Sequence, residues 1–94
     1  MNSFDWIAKW YASNCDGDWE HMYQVRIYTV DNPGWRVEID IAETVQQDKK
    51  FEPVYKCEDE DNWIICEVKN DVFYGNGDTS KLESILGVFR QWCG

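Results

Sequence analysis

Residues 21–42 read HMYQVRIYTV-DNPG-WRVEIDIA, two alternating runs separated by a turn. This pattern constrains the chain more than any other. Side chains along a strand point to opposite faces in turn, so Tyr23, Val25, Ile27 and Thr29 share one face while Gln24, Arg26 and Tyr28 share the other. In the second run Trp35, Val37, Ile39 and Ile41 face inward and Arg36, Glu38 and Asp40 face water. DNPG suits a type II bend centred on Pro33 and Gly34. One apolar and one wet face mark an antiparallel sheet, whose apolar face has to be covered by something else in the chain.

The covering elements stand at the two ends. Phe4, Ile7, Trp10 and Tyr11 have helical spacing behind a candidate N-cap at Ser3, which predicts a helix over residues 4–14; Gly17 then breaks it. Leu82, Ile85, Leu86 and Phe89, with Trp92 and Cys93, form the apolar stripe of a last helix, capped by Asp78, Thr79 or Ser80. Between them, ETVQQDKK (43–50) reads as a loop or a frayed strand end. FEPVYKCE (51–58) reads as a strand that Pro53 pushes to a sheet edge, and EDEDN (58–62) as an acidic turn. NWIICEVK (62–69) and VFYGNG (72–77) read as strands joined at Asn70-Asp71. The expected architecture is α+β: about five antiparallel strands in meander order, with the N-terminal and C-terminal helices packed on one face and the other face open. Ninety-four residues suffice for one modest core, so residues 1–94 read as a single domain, and the six Trp, five Tyr and four Phe can build that core.

The net charge of −9 speaks against nucleic acid and anionic membranes as partners and points to a basic protein, reached by electrostatic steering. MNSFDWIAKWY has no basic n-region and no long apolar run, and nothing approaches a membrane span, so a cytoplasmic location is expected. Cys15, Cys57, Cys66 and Cys93 then read as free thiols. No CxxC is present, His21 is the only histidine, and no cofactor or metal is implied.

CDGDWEH, residues 15–21, is the segment with chemical potential. Asp16, Asp18 and Glu20 alternate as oxygen ligands do at the start of a calcium loop. Counting from Asp16, however, the sixth and twelfth positions hold His21 and Ile27 instead of Gly and Glu. Cys15 and His21 could pair as nucleophile and base, but no orienting partner or glycine-rich oxyanion loop accompanies them. GNG at 75–77 lacks the rest of a phosphate loop, and Asp78 would repel phosphate. Three readings of CDGDWEH stand side by side. It is a helix-to-strand connection with Trp19 plugging the core, a surface that another protein reads, or a small metal site or hydrolase using Cys15, Asp16, Asp18 and His21.

The order of landmarks resembles the immunity protein 53 family of bacterial polymorphic toxin systems. The matching residues are Trp10-Tyr11, the run Cys15 to His21, Thr29, Asp31-Asn32-Pro33-Gly34-Trp35 and Ile39-Asp40. Trp63, the Phe73 to Gly77 turn and the final Leu82 to Trp92 helix match more loosely, while Gln24 stands where the family usually has glycine. The resemblance covers about residues 4–92. It implies a non-enzymatic protein, active in the cytoplasm, that binds and neutralises a cognate toxin domain encoded beside it, a nuclease being one candidate. No catalytic residues carry over. The expectation is occlusion of the toxin by an acidic loop and the open sheet face, with Asp16, Asp18, Trp19, Glu20, Tyr28, Glu38 and Asp40 in contact. Trp19 and Trp35 stand between core and contact roles. The partner is expected to be basic, and the free protein a monomer or weak dimer.

Overall fold

In the computed structural model, which describes residues 2–94, the alternating stretches become a sheet and the two stripes become helices that cover it. The elements in chain order are α1 (Ser3–Asn14), α2 (Trp19–Met22), β1 (Val25–Val30), β2 (Gly34–Asp40), β3 (Val54–Asp59), β4 (Asn62–Lys69), β5 (Val72–Gly77) and α3 (Leu82–Cys93). The class is α+β, as expected. The spatial order, β1-β2-β5-β4-β3, is not a simple meander, although every neighbouring pair is antiparallel. β3, β4 and β5 do form a meander, and it docks its last strand against β2.

The physical reason lies in residues 41–53. They coil through successive turns, Thr44 N donating to Ile41 O, Gln47 N to Thr44 O and Lys49 N to Gln46 O, and do not fold β2 straight back into β3. The segment crosses the helix-covered side and is held there by indoles. Trp19 Nε1 donates to Ala42 O at 2.9 Å, Trp10 Nε1 to the buried Gln46 Oε1 at 3.0 Å, and Trp92 Nε1 to Lys50 O at 2.8 Å. An indole N–H buried without an acceptor would be costly, so Trp10 above all, with Trp19 and the more exposed Trp92, ties down the path of this loop.

Local signals resolve much as the sequence suggests, with four differences. α1 is capped by Asn2, whose Oδ1 accepts from Asp5 N, and Ser3 is already helical. The alternation at 21–24 does not extend the first strand: His21 and Met22 close the short helix α2. The Asn32–Pro33 bond is cis and Gly34 already pairs with Val30, so the bend is not type II. Asp78 does not cap α3 directly; its carboxylate accepts from Trp63 N and Ser80 N just before the helix begins. Asn70 and Asp71 both have positive φ, the geometry a two-residue hairpin requires.

The core lies between the sheet and α1 and α3. It joins Ile7, Trp10 and Trp19 to Val37, Ile39, Ile41, Ile64, Cys66 and Phe73, and to Ile85, Leu86 and Phe89. Phe89 sits at its centre, edge-on to Trp10 at 5.0 Å and near Phe73 at 5.1 Å. α3 can lie this close because β5 offers glycines: a Cβ at Gly75 would stand 2.2 Å from Ile85 Cγ2. GNG is thus a seat for a helix. All four cysteines are free thiols; Cys66 is buried opposite Val54, and Cys57 pairs with Trp63 instead. Burial pushes the Cys66 and Cys93 thiols up to about 12. Among the described residues no helix is long and apolar enough to cross a membrane.

Candidate protein-binding surface around strand β1

The CDGDWEH carboxylates are occupied by their own backbone. Asp16 Oδ1 accepts from Asp18 N and Trp19 N, both at 2.9 Å, and opens α2. Glu20 reaches back, accepting from Asp16 N at 2.9 Å and Gly17 N at 2.8 Å. The two carboxylates close the loop reciprocally, in the manner of a capping box, and Gly17 supplies the positive φ at its bend. The Trp19 and Asp18 amides hold the Asp16 carboxyl below the usual carboxylate range, and the amide of Glu20 itself, with those of Asp16 and Gly17, does the same for Glu20. Asp18 and His21 point to solvent, and Cys15 Sγ donates to Tyr11 O at 3.3 Å. Among the described residues no group of three or more His, Cys, Asp or Glu could hold a metal ion, so Cys15, Asp16, Asp18 and His21 do not assemble into one. Trp19 is 4% exposed and packs edge-on to Trp10 and Tyr11. What the loop offers a partner is its negative rim, carried on a tryptophan that belongs to the core.

On the open face the outward residues of β1 and β2 form a second arrangement. Glu38 is its hub. Its Oε1 accepts from Arg26 Nε at 2.8 Å; its Oε2 accepts from Tyr28 Oη and from Arg36 Nε, both at 2.7 Å. Asp40 takes the remaining Arg26 nitrogens at 3.0 and 3.3 Å and the Gln24 amide at 2.9 Å. Arg36 also reaches Asn76 Oδ1 and lies over the Tyr74 ring on β5. These donors, Tyr28 first and then Arg36, hold the Glu38 carboxyl down at about 2. The same bond pushes the Tyr28 phenol up. Cross-strand register puts these groups together: Arg26 faces Glu38 and Tyr28 faces Arg36.

The sequence reading named Glu38 and Asp40 as acidic contacts. Here two guanidiniums balance their two charges, so this patch presents hydrogen-bonding and aromatic surface without a net charge. The sequence places Arg26 with Tyr28 and Arg36 with Glu38 and Asp40 on wet faces but names neither arginine as a site residue; that shared alternation is the signal that points to their pairing.

The candidate residues therefore lie on two sides of one strand. Asp16, Asp18 and Glu20 belong to the helix side with Trp19, while Tyr28, Glu38 and Asp40 belong to the open side. Between them runs β1, an edge strand. A feature the sequence did not reveal adjoins it: a groove of about 400 Å³ between α1 and β1, lined by Ile7, Ala8, Tyr11, Gln24 and Val25. Ile27, next along the strand on this side, is 38% exposed.

A family model described as immunity protein 53 matches residues 4–94. No curated protein and no solved structure matches the chain.

Proposed function

The chain belongs to the immunity protein 53 family, and from that premise we propose that it binds and neutralises a cognate toxin domain without chemistry, by occlusion, in the cytoplasm. One observation carries the reading. The carboxylates of Asp16, Glu20, Glu38 and Asp40 are committed to backbone amides and to arginines, Asp18 and His21 face solvent, and together they flank an exposed strand instead of converging in a pocket. Such an arrangement binds a surface; an active site would need free acids and bases aimed at one point.

The partner this surface suits is basic. Asp16, Asp18 and Glu20 supply uncompensated negative charge on one side of β1, while the Arg26–Glu38–Arg36 patch supplies neutral, directional contacts around Tyr28 on the other. A toxin that acts on nucleic acid has a positively charged substrate path, and an acidic rim meets such a path both in charge and in speed of encounter.

The test is co-purification with the toxin domain encoded beside the gene, at low and high salt, together with growth of cells expressing that toxin. A tight complex that protects growth and weakens moderately with salt is expected, because only the loop side depends on free charge. No binding and no protection would overturn the immunity reading. Full binding after Asp18→Ala, Glu20→Ala and Glu38→Ala together would place the interface elsewhere.

A further inference from the structure

We propose that β1 receives an extended segment of the toxin domain as an additional antiparallel or parallel strand; this deepens the immunity reading and rests on it. The starting point is which backbone groups of β1 are unused. Asp40 N donates to Gln24 O, so residues 24 and 40 are a hydrogen-bonded pair. In an antiparallel ladder such pairs recur at every second residue, so Arg26, Tyr28 and Val30 turn their N–H and C=O groups to β2. Val25, Ile27 and Thr29 turn theirs outward. The next pair of strands agrees: Ile41 N donates to Asp71 O, which sets the odd residues of β2 toward β5. The free edge of β1 thus presents three residues of donors and acceptors in register.

Two further observations say what fits there. The groove between α1 and β1, with Ile7, Tyr11, Val25 and the exposed Ile27, lies where alternate side chains of an added strand would fall. It accepts apolar residues. The surroundings are acidic: residues 2–31 carry five carboxylates and two cations, and one of those cations, Arg26, is tied to Glu38 and Asp40. Asp18 and Glu20 precede the strand and Asp31 follows it. The fitting segment therefore alternates apolar residues and carries lysine or arginine at its ends. A second copy of this chain fits poorly, since it would bring a net charge of −9 against −9. The far edge of the sheet is closed to the same event. β3 sets Lys56 toward the helix side opposite Ile64, slips register between Cys57 and Asp59, and follows Pro53.

The experiment measures affinity for the toxin domain encoded beside the gene, using the whole chain and two variants. Thr29→Pro removes one outward N–H and leaves the β1–β2 ladder intact, because an edge strand tolerates proline on its free side. Ile27→Lys gives β1 the protection that β3 has. Each is expected to weaken binding about 100-fold with little change in melting temperature, Thr29→Pro from the lost ladder bond and its unsatisfied partner, Ile27→Lys from a charge set against the apolar residues of the added strand. In the wild-type complex the amides of Val25, Ile27 and Thr29 should exchange with solvent far more slowly than in the free protein. Wild-type affinity in Thr29→Pro, with those amides exchanging equally fast free and bound, would overturn strand addition and leave immunity standing. No binding by the wild type would overturn both. Self-association that Thr29→Pro abolishes, with toxin binding untouched, would assign the edge to a second copy and overturn the proposal.

Discussion

β1 and β3 are the two edge strands of one sheet, and the side chains they turn toward the helices differ in charge. Facing the helices, β1 places Ile27 opposite Val37, while β3 places Lys56 opposite Ile64. Each edge also has a groove beside the helices. At β3 it is guarded by Lys50, Glu52 and Lys56 over Val88 and Trp92; at β1 its lining carries no charged residue. A sheet edge is a template for any extended chain, and a charge turned inward is an effective way to refuse one. One edge of this molecule refuses and the other does not. The difference teaches that two edges of one sheet need not be equally protected, since the charge turned inward on β3 has no counterpart on the helix-facing side of β1.

The comparison can be broken most severely at the brace beneath β1. Trp19→Ala removes a buried indole that ties α2 to Ala42 and to Trp10. It is expected to cost about 3–5 kcal/mol of stability by urea unfolding, as large aromatic truncations do. The start of β1 should lose protection in hydrogen exchange before β3 does.

A smaller loss is expected at the hub of the open face. Glu38→Gln weakens the bonds from Tyr28, Arg36 and Arg26 and is expected to cost about 1 kcal/mol, screening having reduced the worth of so accessible a network. The acid limb of stability carries the same signature. The Glu38 carboxyl titrates at about 2 in the folded protein against an ordinary 4.5. Its contribution is therefore present above about 4.5 and disappears as pH falls toward 2. Thermal melts of Glu38→Gln should be flatter than wild type across that window.

The two edges can also be made alike. Lys56→Val is expected to leave folding stability within about 0.5 kcal/mol. It should nonetheless produce concentration-dependent association in sedimentation, because β3 then resembles β1. The smallest effect is expected at Lys50, whose ion pair with Glu52 is exposed on both sides. Lys50→Ala should change unfolding free energy by less than about 0.5 kcal/mol.

The elements set by short-range rules were legible in the sequence. Alternation placed β1 and β2, helical spacing placed α1 and α3, and Asn70-Asp71 announced its hairpin. What escaped depends on partners distant along the chain. α2 is one turn held by Trp19 in the core, and the alternation of His21 to Gln24 mimicked a strand in the absence of that information. The strand order follows from which indole binds residues 41–53, and no local pattern marks Gln46 as the acceptor for Trp10. Apart from Trp19, which the core takes up, the candidate contact residues were legible as wet-facing side chains. Their mutual neutralisation was not, because it needs the register that sets Arg26 against Glu38 and lets Arg36 share the same carboxylate.

That shared carboxylate has a consequence for the heat of binding. A long side chain that is free before association must be immobilised during it, at about 0.5–1.5 kcal/mol in lost rotamer entropy. Arg26, Arg36 and Tyr28 hold their positions on Glu38 before any partner arrives. For a toxin domain docked on this face as proposed, calorimetry should therefore find a less unfavourable entropy for the wild type than for Glu38→Gln, even where the partner touches the same atoms, because folding has already frozen the side chains around Glu38.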